Sequence, residues 1–254
     1  MSRRQSVRNA FLIISFLLFP ITQFYFSPFL IVWGASKGLI TASTVIFSML
    51  FLFSLLFGRV FCGWLCPCGA MQEILFKVNN KNPKTGKLDY IKFFIWVPWM
   101  ITIVIVSLLA GGYKRADYFF VMDHGISVSN IYMYIPYYIV ILLFFLNSII
   151  FGKRANCHYL CWMSPFMIIG RKISNFFNIP LVRIKSEKDK CINCKKCNSE
   201  CPMSLDVNNM VKCNKLENYE CILCGKCADI CPKNVIKFNF GRIQFAKKIE
   251  YNNW

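Results

Sequence analysis

Eight of the fourteen cysteines fall into two runs thirty residues apart: Cys191, Cys194, Cys197 and Cys201 before Pro202, then Cys221, Cys224, Cys227 and Cys231 before Pro232. Three thiolates spaced by two residues can curl round three irons of a cube, while the fourth, redirected by its proline, reaches away to a neighbouring cube. The expected ligand sets are therefore crossed. One [4Fe-4S] cluster falls to Cys191, Cys194, Cys197 and Cys231, and the other to Cys201, Cys221, Cys224 and Cys227. Structural zinc favours separated pairs of ligands over quartets with trailing prolines, so iron-sulfur chemistry is the better reading.

The rest of the chain must carry these clusters, and its composition says where. With 254 residues, 56% hydrophobic and only 17% charged, it is too apolar for an ordinary soluble protein. Four stretches, 11–34, 39–58, 91–112 and 131–151, are long and apolar enough to cross a bilayer, with Lys92 at a boundary where it can snorkel. The apolar part of the first is too long for a cleavable signal peptide. A net charge of +18 would suggest nucleic acid in a soluble protein. Here the bases sort by side of the membrane: Arg3, Arg4 and Arg8 precede the first stretch, Arg59, Lys77, Lys81, Lys84 and Lys87 follow the second, and eighteen follow the fourth. The opposite loops hold only Lys37, Lys114 and Arg115, which places both termini and the 59–90 loop in the cytoplasm. Thiols in that reducing compartment are metal ligands or free, not a disulfide framework. No basic stripe with exposed aromatics supports a nucleic-acid partner.

A second cysteine system stands at the membrane face, in FGRVFCGWLCPCG after the second stretch and FGKRANCHYLCWMSP after the fourth. Phe57, Gly58 and Arg59 match Phe151, Gly152 and Lys153, while Cys62, Trp64, Leu65 and Cys66 match Cys157, Tyr159, Leu160 and Cys161. The chain reads as a duplication of a helical hairpin, with both copies ending at the same membrane surface. A spacing of four predicts Cys62 and Cys66 on one helix face, and Cys157 and Cys161 on another. Together the four thiols would suit a further iron-sulfur cluster, another soft metal, or a dithiol couple; packed as small hydrophobes they would do no chemistry. Cys68 and Cys213 fall outside both systems and read as unligated thiols.

The four stretches, the Cys62-x3-Cys66-Pro67 element with its partner, and the C-terminal double run together resemble the polyferredoxin-like 4Fe-4S binding membrane proteins. That family includes the quinol-dehydrogenase membrane component of periplasmic nitrate reductase and the C-terminal part of nitrous-oxide reductase regulators. The second element departs from the family pattern, since Trp162 follows Cys161 and the nearest proline is Pro165. The resemblance implies a mostly α membrane protein with four transmembrane helices in two parallel hairpin repeats over residues 1–180. An α+β two-[4Fe-4S] ferredoxin-like domain would follow over 181–240, then a basic tail over 241–254. It further implies a multi-pass protein of the cytoplasmic membrane, an oxidoreductase-type electron-transfer subunit rather than a stand-alone enzyme. Its role would be to relay electrons between a cytoplasmic or quinone-pool donor or acceptor and a partner redox protein. Menaquinone or ubiquinone is the candidate small-molecule partner. Two rival functions are a metal-reducing or metalloenzyme-maturation factor and a redox sensor.

Few residues suggest more than electron carriage. Quinol oxidation needs a base, and His158 and Glu73 adjoin the CxxxC elements. The expected role of His158 is that of an interfacial residue, and that of Glu73 a solvated face of a short helix over 70–77. Asp117, Asp123 and His124 read as a wet outer loop. The aromatics, 17% of the chain, read as packing and interfacial belts. The stretches hold no Asp, Glu or His, which argues against a proton pump or ion-coupled transporter. In the tail, Arg242, Lys247, Lys248 and Trp254 read as solvated.

Overall fold

The computed structural model describes residues 2–242 apart from Lys215, and the backbone alone of Lys77. The tail residues Lys247, Lys248 and Trp254 lie outside the described residues.

Ser2 opens α1 (Arg3–Leu17) by accepting the Gln5 amide at 3.3 Å. The single span expected over 11–34 is broken. After Leu18 come α2 (Phe19–Thr22) and a 3-10 turn (Gln23–Phe26), bent by 60° from α1, and then α3 (Pro28–Ser36). Pro20 and Pro28 each sit in the first turn of the new segment, where a missing N–H costs nothing, but neither could continue the helix before it. The carbonyls freed by the break are satisfied inside the protein. Trp162 Nε1 donates to Phe26 at 3.0 Å, Trp99 Nε1 to Pro28 at 3.2 Å, the Ser127 hydroxyl to Ile21 at 2.6 Å, and the Ser43 hydroxyl to Phe24. Irregular backbone at membrane depth is tolerated only where protein buries it in this way.

A two-residue strand, β1 (Leu39–Ile40), leads to α4 (Ala42–Phe57), which Thr41 caps. Its 16 residues make an apolar helix of about 24 Å, shorter than the roughly 30 Å hydrocarbon core that the expected span 39–58 would cross. Next come α5 (Val60–Trp64), α6 (Pro67–Ile74), α7 (Ile91–Leu109), β2 (Arg115–Ala116) and α8 (Tyr134–Phe151). Among the described residues, two helices are long and apolar enough to cross a membrane, Lys87–Leu109 and Ile131–Phe151, and the bent first pair would make a third. Only 6% and 11% of these two are buried, and they present apolar side chains such as Phe94, Leu108, Leu109 and Ile139 outward, a surface that suits lipid rather than water. β1 and β2 pair in parallel, Leu39 with Arg115 and Ile40 with Ala116, so the loops carrying Lys37 and Lys114 meet at one end.

The chain then forms α9 (Ala155–Tyr159) and α10 (Ser164–Phe176). The helix after each CxxxC element crosses to the other half: α10 packs along α4, and α6 packs on α8 as well as on α1. Gly170 permits the first crossing, because a Cβ there would stand 1.8 Å from the Ser54 hydroxyl. The cysteine-rich segment closes with an antiparallel sheet of β3 (Leu181–Ser186) and β4 (Ile236–Gly241), registered from Leu181 opposite Gly241 to Ser186 opposite Ile236. Between these strands lie α11 (Lys196–Ser199), α12 (Val207–Lys212) and α13 (Lys226–Asp229). One buried core joins this small unit to the long helices: Cys62, Cys66, Cys157 and Cys161 share it with Cys201, Cys224, Cys227, Met167, Met203 and Ile222.

Candidate metal centre

The two long cysteine runs repeat in backbone as well as in sequence. Left-handed residues recur at the same offset of thirty: Asn193 and Leu223, Lys195 and Gly225, Ser204 and Asn234. The one-turn helices α11 and α13 keep the same offset. Alternation of right- and left-handed residues turns successive N–H groups inward into a concavity that attracts an anion, as at many iron-sulfur sites. Cys201, Cys221, Cys224 and Cys227 line one pocket, walled by Ile184, Met203, Val207 and Ile222. The fourth cysteine of the first run thus stands with the first three of the second. Burial, then the neighbouring Cys224 thiol, pushes Cys201 up to about 12, so a thiolate there needs a cation, which iron supplies. Cys191, Cys197 and Cys231 are half-buried against the same core, and Cys194 is exposed.

The CxxxC elements also match in backbone. α5 and α9 begin two and three residues after Gly58 (φ 55°) and Gly152 (φ 95°), positive values that favour glycine. Cys66 N donates to Phe61 O at 3.0 Å, and Cys161 N to Asn156 O at 2.8 Å, the same closure in both copies. The expected shared helix face does not form. α5 stops at Trp64 and α9 at Tyr159, so Cys66 and Cys161 lie beyond the helices; Cys66 is extended (φ −73°, ψ 119°) because Pro67 bars it from the helical region. Pro165 opens α10 as Pro67 opens α6, so the displaced proline keeps its function. All four thiols are buried, and burial raises those of Cys62, Cys157 and Cys161. Cys66 is raised first by a hydrogen bond with Cys68, so Cys68 touches the site that the spacing set it apart from. Cys62 Sγ also lies 3.4 Å from Met167 Sδ. Among the described residues, no three His, Cys, Asp or Glu side chains converge on a single metal ion.

Charge surrounds this junction. Among the described residues seven Lys and Arg are buried, namely Arg8, Arg59, Lys92, Lys153, Arg154, Arg171 and Arg183, and their carboxylate partners Glu73, Glu217 and Glu220 are somewhat more exposed. Glu73, expected on a solvated face, has only 9% of its side chain exposed. It receives Arg154 Nη2 at 2.5 Å, Lys226 at 3.4 Å, and Arg8. Burial works to raise its carboxyl, but Arg154, Arg8 and Lys226 together hold it at about 2. Glu220 is likewise held at about 2 against burial by Arg59, 2.7 Å away, and Lys92, 2.6 Å away. The guanidinium of Arg154 also donates to Cys62 O at 2.7 Å. It occupies the place, three residues before the first cysteine, that Arg59 holds in the first element. The cysteine register therefore pairs Arg59 with Arg154 rather than with Lys153. These arginines are what sequence reading missed; their shared offset from Cys62 and Cys157 was the available signal.

The small unit is bound to the junction by backbone contacts. A Cβ on Gly63 would lie 2.2 Å from Ile222 O, so only glycine lets the first element touch the loop of the second run. Trp64 Nε1 donates to Leu223 O at 3.1 Å, Gln5 Nε2 to Cys224 O at 3.0 Å, and Arg8 Nε to Gly63 O at 2.7 Å. His158 is not interfacial: it is fully buried, with Nδ1 2.7 Å from Asp89 Oδ1. His124 is exposed and paired with Asp123, and Cys213 is exposed beside Asn209.

Residues 39–85 match the family described as a 4Fe-4S binding domain, and residues 183–232 match the 4Fe-4S dicluster domain. The first range contains Cys62, Cys66 and Cys68; the second contains all eight cysteines of the long runs. These two matches, with the relatives below, support a polyferredoxin-like 4Fe-4S family. It is 28% identical to an uncharacterized protein, MJ0750, of Methanocaldococcus jannaschii over 68% of this chain and 69% of the relative. To YccM of Escherichia coli, provisionally named an electron transport protein, it is 24% identical over 78% of this chain but 56% of the relative. To the methylamine utilization ferredoxin-type protein MauN of Paracoccus denitrificans it is 26% identical over 69% of this chain and 60% of the relative. No solved structure matches. The two domain matches describe 4Fe-4S binding, and the names of YccM and MauN support iron-sulfur electron transfer.

Proposed function

We propose that this chain is a membrane-bound electron relay. It would carry one [4Fe-4S] cluster on Cys191, Cys194, Cys197 and Cys231, a second on Cys201, Cys221, Cys224 and Cys227, and a further iron-sulfur or metal centre on Cys62, Cys66, Cys157 and Cys161. The observation that carries this reading is the shared pocket of Cys201 with Cys221, Cys224 and Cys227, whose Ile222 backbone lies against Gly63 beside Cys62. When bound, the clusters supply one-electron chemistry, and full cysteine ligation suits transfer rather than substrate turnover. The protein's own part is to hold the carriers close and dry. Trp64 and Gln5 bind the second loop through the carbonyls of Leu223 and Cys224, and Arg8 holds the carbonyl of Gly63 beside them. Buried Met167, Met203 and Ile222 exclude water between them.

The Lys and Arg bias supports a cytoplasmic-membrane protein with both termini and the cysteine-rich domain inside. Electrons would pass between that domain and the membrane face, with menaquinone or ubiquinone and a partner redox protein as the exchanging species. The ferredoxin-type name of MauN and the electron-transport name of YccM support this class.

Ligation is tested by spectroscopy and iron analysis on the anaerobically purified chain. Cys201→Ser should remove most of the cluster assigned to the second run, and Cys231→Ser most of that assigned to the first, a loss of about four irons each. Selective loss of the cluster in the mutated residue's own run would refute the crossed assignment.

A further inference from the structure

We propose that Arg59 is a positioning residue for an anionic iron-sulfur centre at the membrane face, donating its free guanidinium hydrogens to that centre and holding its reduction potential up. This rests on the reading that Cys62, Cys66, Cys157 and Cys161 ligate such a centre.

Arg59 is fully buried, yet only its Nη1 has acceptors, Glu220 Oε2 at 2.7 Å and Tyr219 O at 3.3 Å. Its Nε and Nη2 are buried without a partner. Unpaired donors on a buried cation are costly, and native structures leave them only where something else accepts. Arg59 stands three residues before Cys62, and after Glu220 its charge neighbours are Cys62 and Cys157, one thiol from each half. Its counterpart Arg154 has no such vacancy: Nη1 goes to Cys62 O, and Nε and Nη2 go to Glu73. The two copies of the element are thus alike in backbone but different in what they offer the thiols.

The surrounding charge points the same way. Seven buried bases stand against three largely buried carboxylates, Glu73, Glu217 and Glu220, a positive surplus that an anionic centre would offset. A polynuclear centre would bring sulfides able to accept the open hydrogens of Arg59. Hydrogen bonds to sulfur and nearby positive charge both favour the reduced form and raise the potential.

The test is a redox titration of the full chain in detergent, with iron analysis. It follows the signal that disappears in the Cys62→Ser, Cys157→Ser double variant. Arg59→Met should lower the reduced-to-oxidised ratio of that centre at least tenfold at fixed potential, about 59 mV for one electron, without moving the dicluster signals. Arg59→Lys keeps the charge but not the planar fork, so it should lower the ratio by a smaller factor and serves if the methionine variant does not fold. Glu220→Gln removes the carboxylate while leaving the open donors in place, and should raise the ratio instead. A purely structural Arg59–Glu220 pair would make the two variants shift together, which would overturn the proposal. So would a junction signal unmoved by both Arg59 variants. Wild-type protein with fully occupied dicluster sites and no iron or signal beyond them would refute the underlying reading, a separate failure.

Discussion

In the dicluster segment the thiols are gathered by short loops: four left-handed residues at paired positions turn two runs of eleven residues into matching concavities, a third pair follows the runs, and a two-stranded sheet closes the ends. At the CxxxC junction the four thiols come from elements ninety-five residues apart, and helices that cross between the halves bring them together. The first site is partly open, with Cys194 exposed, and its walls are mainly apolar. The second is sealed and ringed by buried arginines whose carboxylates arrive from α6 and from the dicluster segment. A locally built site tolerates loss of distant contacts; one built by packing depends on every charge that it buries.

The largest effect is expected at the packed site. Cys62→Ser with Cys157→Ser should remove all iron above the roughly eight atoms of two cubanes and leave the dicluster spectrum in place. Metal content, quinol-driven reduction and partner-linked transfer all unchanged would make the four thiols structural. Next is Glu73→Gln, which leaves buried Arg8 and Arg154 without their carboxylate and should cost about 3–5 kcal/mol, read as a lower melting temperature. The folded carboxyl is depressed to about 2, so its stabilisation is complete above the unfolded value of about 4.3 and is lost as pH falls toward 2. The gap between wild type and variant should therefore be widest above about pH 5 and close on acidification. Its control is exposed Glu187, held to about 2 mainly by hydrogen bonds from Lys190 and Lys237; Glu187→Gln should leave the melting temperature unchanged.

A smaller effect should follow Gly63→Ala, which drives a methyl into Ile222 O and forces the two cysteine systems apart. About 1–3 kcal/mol of overpacking is expected, with slower electron exchange between the sites while each keeps its iron. Unaltered exchange would show that this contact does not carry the relay. The smallest change belongs to the local site: Lys195 holds the left-handed position (φ 56°) that Gly225 holds in the other run. Lys195→Gly should relieve strain and alter stability by less than about 1 kcal/mol, with both clusters retained, as chemical denaturation would show.

The sequence was most legible where structure is local. Spacing and the trailing prolines of the two runs pointed to the company that Cys201 keeps, because a loop of two or three residues leaves little freedom. The duplication was visible for the same reason, down to the proline that Trp162 and Met163 displace to Pro165. Hydropathy identified the apolar stretches but not the break between α1 and α3, since the partners that make it tolerable, Trp99, Ser127 and Trp162, lie far along the chain. Charge was read least well. Composition and bias along the chain do not reveal that Glu73 serves Arg8, Arg154 and Lys226, or that Arg59 and Lys92 share Glu220. The iron-sulfur cofactor class was determined by covalent spacing. Only the tertiary structure decided which arginines face the second set of thiols, because helices that cross between two halves bring together charges that the sequence keeps tens of residues apart.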